Sequence, residues 1–179
     1  MNSIKGKIIN YNESFFGEII FNRNIDKINK IETLNNDVII IPGFIDLHCH
    51  GGNGFDTMEG YSSIKEMSNF HLLHGTTTLL PTTWTSGFDS ILKALKSIDE
   101  LINDDNNNIE GIHLEGPFIN PNKLGAQPAL TQLPSYDFIE NILKDVDIKI
   151  ITLAPELEGM NEFIDFLINK DIRVQFGHT

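Results

Sequence analysis

Pro42-Gly43-Phe44-Ile45-Asp46-Leu47-His48-Cys49-His50-Gly51-Gly52 is the stretch on which the reading of this chain turns. The β-branched run Val38-Ile39-Ile40-Ile41 leads into it, and Ile39 to His50 together predict one buried strand with a polar tip. Side chains two apart along a strand share a face. His48 and His50 therefore point the same way, and Cys49 points opposite. Two imidazoles on one face, followed by glycines that let a ligand approach, make a seat for a metal ion. By itself His-x-His also fits two solvated histidines at a strand end, so the rest of the chain decides.

The 179 residues suffice for one hydrophobic core and are few for two independent ones. The apolar fraction of 40% leaves out the 14 glycines; with them the chain approaches the roughly 45–50% of soluble globular proteins. Against 25 Asp and Glu there are 13 Lys and Arg, a formal net charge of -12. That argues against nucleic acid and anionic membranes as partners, because both demand a basic surface. A small anionic substrate stays open, since local groups decide its binding. One cysteine permits no internal disulfide and fits a reducing compartment. No long apolar stretch follows Met1 to Lys7, and no run approaches a membrane span in length. The expectation is a cytoplasmic protein.

Residues 3–40 predict short strands, Lys7–Tyr11, Phe15–Phe21 and Lys27–Ile31, separated by Asn- and Asp-containing turns. We read residues 1–41 as part of a small β-domain and 42–179 as a larger unit. In that unit helices are expected over Ser62–His74, Phe88–Ile102, Tyr136–Leu143 and Met160–Asn169. Strands are expected over Thr76–Pro81, Ile109–Glu115, Ile148–Ala154 and Ile172–His178, with a polar loop over Asp104–Asn108. The clearest helix has apolar residues at 88, 91, 92, 95, 98, 101 and 102. Five strands alternating with helices imply parallel βαβ units, in a barrel or a doubly wound sheet.

The polar residues choose between these two. In a (β/α)8 barrel chemistry sits at the C-terminal ends of the strands. His48 and His50 end the first strand, Glu115 the third and His178 the fifth, while Glu156 follows the fourth. Gly51-Gly52-Asn53-Gly54 does not match the glycine-rich turn of a dinucleotide-binding sheet and opens a loop rather than a helix. The expected architecture is α/β, a partial (β/α)8 barrel of strands one to five. Such a barrel takes roughly 200 residues or more, so we expect an N-terminal portion whose first and fifth strands would have unpaired edges.

His48, His50, Glu115 and His178 form a nitrogen and oxygen ligand set that suits Zn2+, with Fe2+ or Mn2+ as alternatives. Such a site lowers the pKa of bound water to about 7 and polarises a carbonyl.

At these residues the chain resembles a known family. Pro-Gly-Phe-Ile-Asp-Leu-His-x-His-Gly-Gly is followed by His74-Gly75-Thr76-Thr77-Thr78, Leu80-Pro81-Thr82 and Gly111-Ile112-His113-Leu114-Glu115-Gly116-Pro117-Phe118. These resemble the amidohydrolase superfamily and, within it, the N-acetylglucosamine-6-phosphate deacetylases. Asn120-Pro121-x-Lys123-x-Gly125-Ala126-Gln127, Thr152-Leu153-Ala154-Pro155-Glu156 and Gly177-His178-Thr179 agree in order and spacing. The resemblance runs from about Ile39 to the last residue.

It implies metal-dependent hydrolysis of the acetamide of N-acetylglucosamine 6-phosphate, giving glucosamine 6-phosphate and acetate. By the same resemblance Glu115 and His178 are metal ligands, and His48 and His50 mark the type able to hold a second ion. Ala126 and Gln127 match the segment lining the sugar site, and the small β-domain is one part of a β-sandwich. It further implies a homo-oligomer, a dimer, for the intact protein. The general-base aspartate and another metal histidine are expected beyond residue 179, so no residue here is assigned as catalytic. Two rivals are weighed. Cyclic-amide hydrolases such as dihydroorotases resemble this chain less, because they bridge two metals with a carboxylated lysine at strand four, where Lys149 lies too early. The other is a non-catalytic half-barrel that pairs with another copy or fragment.

Several residues admit a plainer role. His113 shares a face with Glu115 and is either a ligand or a hydrogen-bonded interior histidine; it is left out of the ligand set. His71 and His74 end a helix, where histidine meets the last carbonyls. Cys49 is expected to pack against the helical layer, Asp46 to support a ligand, and Glu156 to orient loops. Trp84 is either a sugar platform or packing, and packing is the expectation.

Overall fold

In the computed structural model, which describes residues 1–104 and 107–179, the Ile39–His50 run is not one strand. It breaks at Ile41-Pro42-Gly43 into β4 (Ile39–Ile40) and β5 (Phe44–Cys49). Pro42 has no N–H to give to a ladder and fixes its own φ, so pairing cannot continue through it. The run is not buried either: Ile39 is 63% exposed and Ile45 67%. The chain divides at this break into two compact units, Met1–Gly43 and Phe44–Thr179.

The first unit is a four-stranded sheet. β1 (Asn2–Ile9) pairs antiparallel with β2 (Ser14–Phe21), β2 antiparallel with β3 (Ile25–Lys30), and β1 parallel with β4. The spatial order is β3-β2-β1-β4. Gly6 and Gly17 face one another across the β1–β2 ladder. A Cβ on Gly6 would lie 2.7 Å from the Val38 carbonyl oxygen, so the absence of a side chain lets the chain before β4 close on β1. Lys30 Nζ and Glu13 Oε2 pair at 3.0 Å at the other edge, an exposed contact of small energetic weight.

The second unit alternates strands and helices. After β5 come a short hairpin, β6 (Gly51–Gly52) and β7 (Phe55–Asp56), one 3-10 turn (Thr57–Glu59), α1 (Tyr61–Leu73), β8 (Thr76–Pro81) and α2 (Phe88–Ile102). Then follow β9 (His113–Glu115), α3 (Tyr136–Ile142), β10 (Ile150–Leu153), α4 (Met160–Asn169) and β11 (Arg173–Phe176). The loop expected to open at Gly51 is the β6–β7 hairpin. Asn53 and Gly54 have φ of 53° and 84°, the left-handed pair that a two-residue hairpin turn requires.

β5 pairs parallel with β8, β9 with β10 and β10 with β11. Single parallel bridges, Leu79 to Ile109 and Thr82 to His113, connect β8 to the β9 segment. The strands therefore follow one another in chain order. Their ladders are shorter than the apolar runs suggested. Ile109–Glu115 contributes only its last three residues, and His178 lies two residues beyond β11 with φ 55°. His50 likewise follows β5 rather than ending it. Of the expected Asp104–Asn108 loop, residues 105 and 106 lie outside the described residues.

Helices supply about half of the core. Ile91, Ala94, Leu95, Ile98 and Leu101 of α2 are at most 1% exposed, a single stripe at helical spacing. They join Ile64 and Met67 of α1, Leu79, Ile112, Leu114, Ile151 and Leu153 from the strand layer, and Phe118 with Phe163. Ser135 caps α3, its hydroxyl accepting from the Phe138 N–H at 3.2 Å. Buried Asn108 ties two layers, donating to the Thr76 carbonyl and accepting from Ser68 Oγ. Among the described residues no helix is long and apolar enough to cross a membrane.

Candidate metal centre

Glu115, the last residue of β9, is 3% exposed. A carboxylate is rarely buried so far unless paired, and three imidazoles face this one. His48 Nε2 lies 3.3 Å from Glu115 Oε1, His50 Nε2 2.9 Å from Oε2, and His178 Nε2 3.3 Å from Oε1. The Nε2 atoms of His48 and His50 are 3.1 Å apart. His48, His50 and Glu115 form the compact group, each offering one ligand atom within 4.8 Å of the others. His178 meets it at Glu115 Oε1.

The donor set fits a divalent ion of the zinc type. Ligand atoms about 2.0–2.1 Å from a tetrahedral ion stand roughly 3.3 Å from one another, and within the His48, His50 and Glu115 group the nearest separations are 2.9 to 3.3 Å. Two of the imidazoles are held with Nε2 toward the cluster. His50 Nδ1 donates to the Thr82 carbonyl at 3.0 Å and His178 Nδ1 to the Lys123 carbonyl at 2.9 Å. Each bond occupies Nδ1 and turns Nε2 to the cluster, where a protonated ring donates to Glu115 and a neutral ring offers its lone pair to an ion.

The electrostatics follow from this crowding. Burial opposes the charge on Glu115, but hydrogen bonds from His48 and His50 outweigh it and hold the carboxyl well below the usual carboxylate range. The same bond to Glu115 raises the pKa of His48, against the opposing effect of burial and with help from Asp46. Asp46 supports the site through the backbone, its carboxylate accepting the His48 N–H at 3.1 Å.

His113 takes the plainer of its two roles. It is fully buried; Nδ1 donates to the Leu47 carbonyl at 2.6 Å, and Nε2 accepts from Thr152 Oγ1 at 2.7 Å. Both nitrogens are spent, and burial lowers the pKa to about 4. His113 is a neutral strut joining β5, β9 and β10. Cys49 is buried on the far side from the ligand pair, as expected. Its thiol meets the Gly51 carbonyl at 3.4 Å and His71 Nε2 at 3.2 Å, and burial raises its pKa. His74 closes α1 with Nδ1 donating to the Phe70 carbonyl at 2.7 Å, whereas His71 reaches across to the Gly51 carbonyl instead. Glu156 accepts from Asn120 Nδ2 at 2.6 Å and Thr179 Oγ1 at 2.5 Å, bridging two loops.

Three contacts were not legible in the sequence. Trp84 stacks on His50, ring centroids 3.9 Å apart and planes 21° from parallel, while its Nε1 donates to Asp56 Oδ2 at 3.0 Å. Thr82, fully buried, accepts the Cys49 N–H through Oγ1 as well as the His50 ring through its carbonyl. Gln127, matched to the sugar segment, is 5% exposed and donates from Nε2 to Glu115 Oε2; its neighbour Ala126 is exposed. Each contact joins residues far apart in the chain, and no short-range signal announces it. A cleft of about 410 Å³ lies beside Trp84, lined by Asp56, Met58, Thr85, Ser90 and Lys93 among others, and includes none of His48, His50, Glu115 and His178.

Residues 39–164 match the model of the amidohydrolase family, a span that includes His48, His50 and Glu115. The chain belongs to the amidohydrolase family. This amidohydrolase is 38% identical over 152 residues to N-acetylglucosamine-6-phosphate deacetylase of Bacillus subtilis, an alignment covering 80% of the chain and 38% of that protein. The crystal structure of N-acetylglucosamine-6-phosphate deacetylase from Thermotoga maritima superposes with a TM-score of 0.85 at 31% identity, over 99% of this chain and 48% of that one. The Mycobacterium smegmatis enzyme of the same name shares the fold, with a TM-score of 0.88 at 24% identity over 99% of this chain and 50% of that one. The amidohydrolase chain thus spans two-fifths to half the length of the relatives it matches.

Proposed function

We propose that this amidohydrolase carries the metal-binding part of a hydrolase that removes acetate from N-acetylglucosamine 6-phosphate, leaving glucosamine 6-phosphate. The observation that carries this reading is the convergence of His48, His50 and His178 on the buried Glu115 carboxylate. In a family with matched relatives named as deacetylases of this sugar phosphate, such a cluster is a ready seat for one or two divalent ions, zinc foremost. A bound ion would polarise the acetamide carbonyl and supply a water of lowered pKa.

The chain's own residues hold and orient. Glu115 supplies the anionic ligand, His48, His50 and His178 the neutral ones, and Thr82 and Lys123 carbonyls fix two of the rings. Exposed Ala126 is the part of the sugar-lining segment open to a substrate, Gln127 being turned to Glu115. The proton transfer from water to the departing amine belongs to the aspartate expected beyond residue 179. On the same reading the five parallel strands are the first five of a (β/α)8 barrel, and the N-terminal sheet is part of a β-sandwich.

Elemental analysis of the purified chain beside a Glu115→Ala variant tests this. Stoichiometric zinc, iron or manganese in the chain and its loss in the variant support the metal centre. Release of acetate from N-acetylglucosamine 6-phosphate by the chain, alone or with a complementary fragment, supports the reaction. Absence of metal from both proteins sinks the assignment for this chain and favours a non-catalytic half.

A further inference from the structure

We propose that Gln127 is a positioning residue that fixes the orientation of the Glu115 carboxylate. This rests on reading His48, His50 and Glu115 as a metal centre. The Thr85 backbone N–H reaches one end of the Gln127 amide at 2.8 Å. A backbone N–H can only donate, so the amide oxygen must face it. The NH2 is thereby forced toward Glu115 Oε2, to which it donates. The amide cannot flip without placing two donors against each other at Thr85 and two acceptors against each other at Glu115.

The last torsion of a glutamate is broad, so a carboxylate held only by histidines would swing. Gln127 removes that freedom. Oε2 is committed to Gln127 and His50, and Oε1 is presented to His48 and His178. The anchor is rigid because Thr85 is fully buried and follows Trp84, which stacks on His50. One short segment therefore braces two ligands from distant parts of the chain. Partners of this kind are worth about 10–100-fold in metal affinity.

Two measurements on the full 179-residue chain test it. In the metal-free, 15N-labelled chain, one Gln127 side-chain amide proton should be displaced downfield, and Glu115→Ala should collapse that displacement. In Co2+ titrations the single tryptophan, Trp84, reports binding by quenching, because it stacks on His50. Gln127→Met should weaken Co2+ about 10–100-fold and alter the visible cobalt bands, with far-UV circular dichroism unchanged. Should that variant fail to fold, Gln127→Glu has the same size and keeps the acceptor for Thr85. It still replaces the donor at Glu115, and the bands should change again. Gln127 amide shifts indifferent to Glu115→Ala, or variants that bind Co2+ with wild-type affinity and spectrum, overturn the proposal. A wild-type chain that takes up no Co2+ while the Gln127 shift depends on Glu115 supports the hold on the carboxylate and refutes the metal reading instead.

Discussion

Thr152→Val isolates the strut that sets β5 against the other strands. Thr152 is 4% exposed, and its hydroxyl donates to His113 Nε2 at 2.7 Å. Valine keeps the shape and removes only the donor. The lost hydrogen bond is worth about 1 kcal/mol net, but the orphaned, fully buried His113 nitrogen brings the cost to about 1–3 kcal/mol. His113 cannot escape by taking up a proton at neutral pH, because burial lowers its pKa to about 4. For a unit of this size each kcal/mol lowers Tm by about 4 °C, so the expected drop is about 4–12 °C. Urea unfolding followed by circular dichroism measures it, in wild type and in a His113→Phe background. With the orphan removed the valine substitution should become nearly neutral, giving a clear coupling energy. A loss below about 0.5 kcal/mol, or the same loss in both backgrounds, refutes the role given to this bond.

Three further outcomes are expected. His113 has a folded pKa below its unfolded value of 6.5, so the unfolded chain binds the extra proton first as pH falls. Without metal, its contribution is intact above about pH 6.5 and is lost toward pH 4, by about 3 kcal/mol in all; an imidazole NMR titration with a midpoint near 6.5 contradicts it. Zinc at one hundred times its dissociation constant should stabilise the chain by about 2.7 kcal/mol, read as a rise in Tm that Glu115→Ala abolishes. Gly116 has φ 68°, and a Cβ there would collide with Thr85 Oγ1. Gly116→Ala should therefore cost at least about 1–3 kcal/mol, and wild-type stability in thermal melts would show that the turn tolerates a side chain.

The helices were legible because their signal is local. The α2 stripe recurs at helical spacing whatever surrounds it, and its bounds, Phe88–Ile102, are those expected. The strand boundaries were not. Ile39 to His50 reads as one strand, yet Pro42 divides it between two sheets, and Ile109–Glu115 pairs in a ladder only from His113 onward. Hydrophobicity marks what prefers burial, whereas ladder length depends on the neighbouring strand.

The sequence by itself determined the inventory of the site: which residue types it offers, and that His48, His50 and Glu115 lie where strands give way to loops. A two-residue period and a strand-end glutamate are properties of the chain alone. Only the tertiary structure decided how these groups are used. It spent both nitrogens of His113 on Leu47 and Thr152, laid Trp84 on His50, and turned Gln127 onto Glu115. The physical reason is that ligation and hydrogen bonding act over about 3 Å. The partners are separated by 12 to 66 residues in Gln127–Glu115 and His113–Leu47, so the fold alone brings them within reach.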